Sequence, residues 1–70
     1  MERILSSKDI GTIVRAERKK LGMTQAEFAL NVGTGVRFIS DLERGKPTVQ
    51  FDKAVHVLSM CAMNLYAEKR

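Results

Sequence analysis

The residues of this sequence that are best suited to binding a ligand are cationic side chains. A basic run, Arg15–Lys20, lies in the first third of the chain, and Arg37, Arg44 and Lys46 follow near its middle. The 70 residues include 12 Lys and Arg against 8 Asp and Glu, which gives a formal net charge of +4 and a pI near 9.6. An excess of cations attracts polyanions, so the sequence favours a nucleic acid as the partner.

Catalytic and metal-binding chemistry has few candidates. His56 is the only histidine and Cys61 the only cysteine. A disulfide within the chain needs two cysteines, and a structural zinc site needs four ligands. No nucleophile–base set can be built around these two residues either. We therefore expect no enzyme activity, no metal and no cofactor, with His56 on the surface and Cys61 as a small buried hydrophobic residue.

The length predicts a single domain spanning residues 1–70. Hydrophobic residues make up 44% of the sequence, which is typical of a globular protein. A chain this short buries only roughly 60% of the surface that its unfolded form exposes, so we expect a partner subunit to add stability. The longest apolar-rich stretch, Ala54–Met63, is too short to span a bilayer, and the first residues lack the pattern of a secretion signal. We expect a cytoplasmic protein at the nucleoid, with no membrane partner.

The pattern of caps and apolar residues predicts helices in the first two thirds of the chain. A 3.6-residue apolar period predicts a first helix over Ser7–Leu21. Thr24 and Glu27 form a capping box that begins a second helix, and Gly33 ends it. A third helix follows over residues 35–44. Two short helices joined by a tight turn that contains glycine predict a helix-turn-helix.

The last third of the chain predicts a fourth helix and a strand. Thr48 is the expected cap of a helix that runs to about Cys61 and carries two apolar stripes, one of which includes Phe51. Residues 63–68 alternate between apolar and polar side chains, as a β-strand does. Because a lone strand lacks a partner, we expect it to pair with the same strand of a second subunit. The residues expected at this homodimer interface are Val57, Cys61, Met63, Leu65 and Ala67.

The third helix holds the candidates for reading DNA sequence. In a helix-turn-helix the second helix lies in the major groove, with its N-terminal residues against base edges. Arg37 is the strongest candidate, because its guanidinium matches the O6 and N7 acceptors of guanine. The alternative is that Arg37 pairs with Asp41 one turn later on a solvated face. The predicted base-facing residues are Gly35, Val36, Arg37, Ser40 and Asp41.

Contacts to DNA phosphates orient a protein without reading the sequence, and several cations and polar side chains suit them. The alternative for the basic run Arg15–Lys20 is a solvated helix face. Glu43 would repel DNA unless it were neutralised, so we predict a buried pair with Arg18 that braces the first helix against the third. Phe38 is expected to pack between the second and third helices rather than against bases. The predicted phosphate contacts are Arg18, Lys19, Gln25, Thr34, Arg44 and Lys46.

Two segments resemble the Cro/C1-type (XRE-like) helix-turn-helix domains of lambdoid phage repressors. The first is Thr24–Ala29 with the following Val32-Gly33-Thr34, and the second is Ile39–Lys46. The resemblance covers about residues 10 to 62. It implies a mainly α fold, a lambda-repressor-like bundle of four helices over about residues 7–62, with the predicted C-terminal strand over 63–68 pairing across a homodimer.

The same resemblance implies roles for individual residues. It places Gln25 and Arg44 on phosphates and the outward residues of the third helix on bases, and it implies a pair like Arg18–Glu43. The family commonly has long amide side chains at its reading positions, whereas this sequence has Gly35, Val36 and Asp41. The operator sequence of a relative therefore does not transfer to this chain.

The end of the sequence is similar to HipB-type antitoxins, in which a small sheet between subunits closes the dimer. That similarity implies a repressor that binds a palindromic operator, controls its own operon and neutralises a HipA-like serine/threonine kinase toxin. Two alternatives remain open. One is a stand-alone XRE-family regulator without a toxin. The other is a protein-interaction module that inhibits a kinase and uses the helix-turn-helix only as a scaffold.

Overall fold

The computed structural model describes residues 6–61, which contain four α-helices. This part of the chain confirms the predicted four-helix helix-turn-helix architecture. The strand predicted over 63–68 lies outside the described residues, as do Met63, Leu65 and Ala67 of the expected interface. The helices are α1 (Ser7–Lys20), α2 (Gln25–Val32), α3 (Val36–Glu43) and α4 (Phe51–Met60).

The starts of α1 and α2 are fixed by neighbouring side chains. The first amides of a helix have no partner within the helix and need other acceptors. The Thr24 hydroxyl accepts from the Glu27 amide at 3.1 Å, and the Glu27 carboxylate accepts from the Thr24 amide at 2.8 Å, which confirms the predicted capping box. These hydrogen bonds hold the pKa of Glu27 below its usual value. At α1, the Asp9 carboxylate accepts from the Ser6 amide at 3.1 Å.

The turn between α2 and α3 is only three residues long. Gly33 ends α2 with φ of 79°, a left-handed conformation that a residue with a side chain rarely adopts. The Thr34 amide donates to the Ala29 carbonyl at 2.9 Å and closes the end of α2. Gly35 is the N-cap residue of α3. This short connection holds α2 and α3 in the helix-turn-helix arrangement.

The backbones of α1 and α3 approach each other closely at Gly11. A Cβ atom at Gly11 would lie 2.0 Å from the Leu42 carbonyl oxygen and 3.1 Å from Glu43 Cα. Real Cβ atoms do not come so near to backbone atoms, so only glycine fits this crossing. A glycine in the middle of a helix costs about 0.5–1 kcal/mol relative to alanine. At this site that cost is offset by the contact between α1 and α3.

One hydrophobic core joins the four helices. Val14 of α1, Phe28 of α2, Ile39 and Leu42 of α3 and Val57 of α4 are its most completely enclosed side chains of large volume. The sequence period predicts that Phe28, Ala29 and Val32 of α2 and Ile39 and Leu42 of α3 face inward, and all five are buried. A core built from all four helices fixes α3 on one side and leaves its opposite side exposed. The other buried hydrophobic residues are Ile10, Ala29, Val32, Ala54 and Leu58.

The start of α4 differs from the prediction. Thr48 does not cap this helix, because the Val49 amide donates to the Lys46 carbonyl at 3.3 Å and Val49 packs against the core. The chain is thus still in a turn at Thr48 and becomes helical only at Phe51, after an N-cap residue, Gln50, whose side chain makes no capping hydrogen bond.

The apolar faces of α4 also differ from the two predicted stripes. Phe51, placed on a buried stripe by its spacing, has 60% of its surface exposed because it lies at the first helical position, beyond the edge of the core. Val57 was expected at a subunit interface, but it is fully buried within its own chain and has no surface to offer a partner. Cys61 is half-buried and packs against the core.

Neither a membrane-spanning helix nor a metal site is found between residues 6 and 61. No helix in that range is long and apolar enough to cross a bilayer. The same residues contain no group of three or more His, Cys, Asp or Glu side chains that could hold a metal ion.

Candidate nucleic-acid interface

Arg18 of α1 and Glu43 of α3 form a bidentate ion pair that braces the two helices. Arg18 Nε donates to Glu43 Oε2 at 2.7 Å, and Arg18 Nη2 donates to Glu43 Oε1 at 2.9 Å. A third nitrogen, Nη1, donates to the Met23 carbonyl at 2.8 Å, and Gln25 Nε2 donates to Glu43 Oε1 at 3.1 Å. The pair therefore ties the end of α3 to α1, to the α1–α2 turn and to the start of α2.

This brace is shielded from water. The side chains of Arg18 and Glu43 are only 12% and 4% exposed. Burial pushes the pKa of Glu43 upward, but the hydrogen bonds from Arg18 and Gln25, with the positive charges of Arg18 and Arg15, leave that pKa below its usual value. The hydrogen bond to Glu43 likewise raises the pKa of Arg18. Glu43 is thus a neutralised carboxylate rather than a repulsive charge toward DNA.

The brace limits the donors that two residues have left for DNA. Arg18 is also predicted as a phosphate contact; each of its three guanidinium nitrogens already donates within the protein, which leaves two of its five N–H groups, and its phosphate contact stays a prediction. Gln25 uses one of its two amide hydrogens on Glu43 and keeps the other for a possible acceptor outside the chain. Lys19 is exposed at the end of α1.

The outward side of α3 begins with three exposed residues, Gly35, Val36 and Arg37. Arg37 pairs with no carboxylate among residues 6–61, so the alternative in which it binds Asp41 is not observed. Ser40, one turn after Val36, is partly exposed. The N-terminal half of α3 therefore presents to the outside an apolar side chain, a hydroxyl and a guanidinium that has no carboxylate partner in the described part of the chain.

Asp41 is predicted to face bases, but in the structure its carboxylate is covered by two cations. Its carboxylate is paired with Arg44 through Oδ1 and with Lys46 through Oδ2, the latter at 3.5 Å from Nζ. Only 14% of the Asp41 side chain is exposed. The hydrogen bond from Arg44 is the main reason that the pKa of Asp41 lies below its usual value. Burial raises this pKa, but the hydrogen bond from Arg44 and the positive charge of Lys46 together outweigh it.

The end of α3 explains why these three side chains meet. Gly45 has φ of 77°, and its amide donates to the Leu42 carbonyl at 3.1 Å. The Lys46 amide donates to the Asp41 carbonyl, also at 3.1 Å. This is the Schellman arrangement at a helix C-terminus, and it folds the chain back over the last turn. Arg44 and Lys46 are thereby brought beside Asp41.

Two side chains of α4, Lys53 and His56, make contacts that the sequence does not predict. Phe38 packs against the core, and the Lys53 ammonium lies 5.8 Å from the centre of its ring. His56 is exposed, as expected, but its Nε2 is 3.1 Å from the Val32 carbonyl at the end of α2. A groove of about 500 Å³ lies over the α2–α3 turn. It is lined by Leu30, Gly33, Thr34, Gly35, Asp52, Lys53 and His56.

Comparison with known proteins identifies the family. The sequence model of the family described as Helix-turn-helix matches residues 14–57. A curated relative from Sinorhizobium fredii (strain NBRC 101917 / NGR234), the uncharacterized HTH-type transcriptional regulator y4mF, is 44% identical over 68 residues. That match covers 94% of this chain and 90% of the relative. The family is non-enzymatic, in agreement with the sequence prediction.

Solved structures share the fold. HipB in a HipB–O4 20mer complex superposes with a TM-score of 0.82 at 19% identity, covering 99% of this chain and 97% of that chain. A structure of a HipA–HipB–O2–O3 complex gives the same TM-score, identity and coverage. At this level of identity the likeness concerns the fold alone. The family match and the curated relative carry the assignment: the chain belongs to the Cro/C1-type helix-turn-helix family of DNA-binding transcriptional regulators.

Proposed function

We propose that this protein is a sequence-specific transcriptional repressor that binds a palindromic operator as a homodimer and controls its own operon. The observation that carries the proposal is the exposed N-terminal half of α3. There Arg37 has no ion-pair partner within residues 6–61, while both carboxylates of α3 are neutralised by cations of the same chain. A helix in this state can enter the major groove without strong repulsion.

Within this proposal, Arg37 reads a guanine through a bidentate pair of hydrogen bonds. Val36 lies against a thymine methyl group, and Ser40 donates to a base edge or a phosphate. Gly35 lets the backbone approach the DNA closely. Base contact by Asp41 becomes possible only through an oxygen lone pair that Arg44 and Lys46 leave unused.

Phosphate contacts orient the protein on the duplex in this proposal. Lys19 is exposed at the end of α1, and Arg44 and Lys46 are exposed after α3. Gln25 retains one free amide hydrogen, and Thr34 is partly exposed in the α2–α3 turn. These five residues lie on the helix-turn-helix or directly beside it, which supports a shared role.

The homodimer would place two α3 helices about 34 Å apart, one turn of DNA, so the operator should be a palindrome. We propose that residues 63–68 pair between subunits and that Cys61, Met63, Leu65 and Ala67 line the interface. Half-buried Cys61 at the end of α4 supports continuity between this helix and such an interface. A protein of this kind acts in the cytoplasm, at the nucleoid.

The second part of the proposal is an antitoxin role. The likeness to HipB, which has been solved together with HipA, supports a HipA-like serine/threonine kinase toxin as a protein partner. The alternative of a stand-alone regulator is supported by the 44% identical relative, which is described as a transcriptional regulator. Co-expression with the product of the neighbouring gene distinguishes the two roles. A stable complex with a kinase-like protein supports the antitoxin role, and the absence of a complex supports the stand-alone regulator.

Footprinting on the DNA upstream of the protein's own gene tests the repressor proposal. Two protected half-sites with centres about 10 base pairs apart are expected. Protection that follows no defined sequence would contradict operator binding. In that case the third reading, a protein-interaction module that uses the helix-turn-helix as a scaffold, would be favoured by the absence of long amide side chains at Gly35, Val36 and Asp41.

A further inference from the structure

We infer that Asp41 limits the number of cations that the end of α3 brings to DNA phosphates, and so sets the strength and the salt dependence of DNA binding. This inference rests on the proposed DNA-binding function. It assigns to Asp41 a positioning role, in which the carboxylate acts through the two cations that it holds rather than through a base.

The geometry of the three side chains supports this role. Both carboxylate oxygens of Asp41 are engaged, one by Arg44 and one by Lys46. The Asp41 side chain is 14% exposed, whereas those of Arg44 and Lys46 are 69% and 48% exposed. The carboxylate is thus enclosed on the protein side, and the cations that cover it face the solvent from which DNA would approach.

No other carboxylate between residues 6 and 61 controls these two cations. Arg44 and Lys46 pair with Asp41 alone in that range, and the other acid of α3, Glu43, is held by Arg18 and Gln25 instead. The two acids of α3 therefore have separate effects. Glu43 stabilises the fold, and Asp41 acts on the charge that faces DNA.

The charge of the cluster gives the size of the effect. The side chains of Asp41, Arg44 and Lys46 together carry one net positive charge, although two cations are exposed. Each phosphate neutralised by a protein cation makes the slope of log K against log salt steeper by about 0.9, because a counterion is released. With Asp41 in place the cluster should release about one counterion per protomer, and without the carboxylate about two.

The test compares the full-length protein with its Asp41→Asn and Asp41→Ala variants on a random-sequence DNA duplex, by fluorescence anisotropy across a salt series. Asparagine keeps the side-chain shape, and alanine keeps α3 helical. Both variants should bind more tightly, with a slope steeper by about 0.9 per protomer. If the proteins bind equally at 1 M salt, this slope corresponds to affinity higher at 0.15 M by roughly fivefold per protomer, or about thirtyfold for a dimer with both protomers on the duplex. Thermal unfolding of each variant establishes that it is folded.

Glu17→Gln is the matched control, since it makes the same change in net charge on α1, away from the cluster. Its slope should equal that of the wild type. The inference is overturned if the Asp41 variants keep the wild-type slope, bind more weakly, or change no more than Glu17→Gln does. Each of these results leaves the DNA-binding function intact. A wild type without salt-dependent binding to any duplex would overturn the function and the inference together.

Discussion

The charged residues of α3 differ in whether they are paired within the protein. Glu43 is held by Arg18 and Gln25, and Asp41 by Arg44 and Lys46, so Arg37 is the cation of α3 that remains unpaired within residues 6–61. Arg37 is therefore available to contact a base, whereas the paired side chains set the charge of the surface around it.

The first prediction concerns base reading. Arg37→Ala should weaken binding to the operator by about 1–3 kcal/mol and relax specificity at one base pair, because a bidentate contact to guanine is lost. Binding to random DNA should fall far less. Lys19→Ala is the control, since loss of a phosphate contact weakens binding to all sequences alike. Equal losses of Arg37→Ala on operator and random duplexes would show that Arg37 binds phosphate rather than a base.

The second prediction concerns the brace. Glu43→Gln should lower the free energy of unfolding at neutral pH by about 2–4 kcal/mol, because Arg18 loses the carboxylate opposite its shielded guanidinium. The pKa of Glu43 is lower in the folded state than in the unfolded state. Its contribution to stability is therefore complete above the unfolded-state pKa and is lost as the pH falls through the folded-state pKa. Urea unfolding should therefore show the two proteins converging in acid. A constant difference in stability down to about pH 3 would contradict this assignment.

At the scale of elements, the helix boundaries that the sequence predicts well are those set by local chemistry. Thr24, Glu27 and Gly33 act on their own turn of backbone, and α2 begins and ends where they place it. The start of α4 depends instead on Val49, which packs against a core assembled from distant residues. A capping residue such as Thr48 carries no information about the packing of Val49, so the sequence predicts the start of α4 too early.

Gly11 gives the prediction for this scale. Gly11→Ala adds a methyl group where the Leu42 carbonyl oxygen would be 2.0 Å away, so α1 and α3 must move apart. We expect a loss of about 1–3 kcal/mol in the free energy of unfolding, despite the better helix propensity of alanine. Chemical denaturation measures it. Gly35→Ala is the steric control, because a Cβ there meets no atom within 4 Å and φ is −78°; it should lose only the difference in N-capping between glycine and alanine. A stabilised Gly11→Ala variant would show that the two helices can separate without cost.

At the scale of the whole molecule, the candidate site was predictable in its location and less so in its details. The spacing of Ile39 and Leu42 placed the outward face of α3, and the need to neutralise Glu43 pointed to Arg18. The cluster of Asp41 with Arg44 and Lys46 depends on how the chain turns after α3, and the contact of His56 with the Val32 carbonyl joins two helices. Such contacts follow from the tertiary arrangement and leave little trace in local periodicity.

The dimer supplies a prediction at this scale. A chain that ends after Ala62 lacks the residues proposed to pair between subunits, so it should sediment as a monomer at concentrations where the full-length chain is a dimer. A chain with Leu65 and Ala67 replaced by lysine is the length-matched counterpart and should also lose the dimer. If the truncated chain remains fully dimeric, the paired strand is not the interface, and exposed apolar residues of α4 such as Phe51 and Met60 become the alternative.

Sequence-specific DNA binding by α3 is the basis of the proposed function, and a binding titration can establish it. Fluorescence anisotropy would compare the full-length protein on DNA from upstream of its own gene with the same DNA scrambled, across a salt series. We expect an affinity on the order of 10⁻⁸ to 10⁻¹¹ M for the upstream DNA, at least about a thousandfold tighter than for the scrambled duplex, with both affinities falling as salt rises. Equal and weak binding to the two duplexes would contradict the claim that α3 reads this promoter.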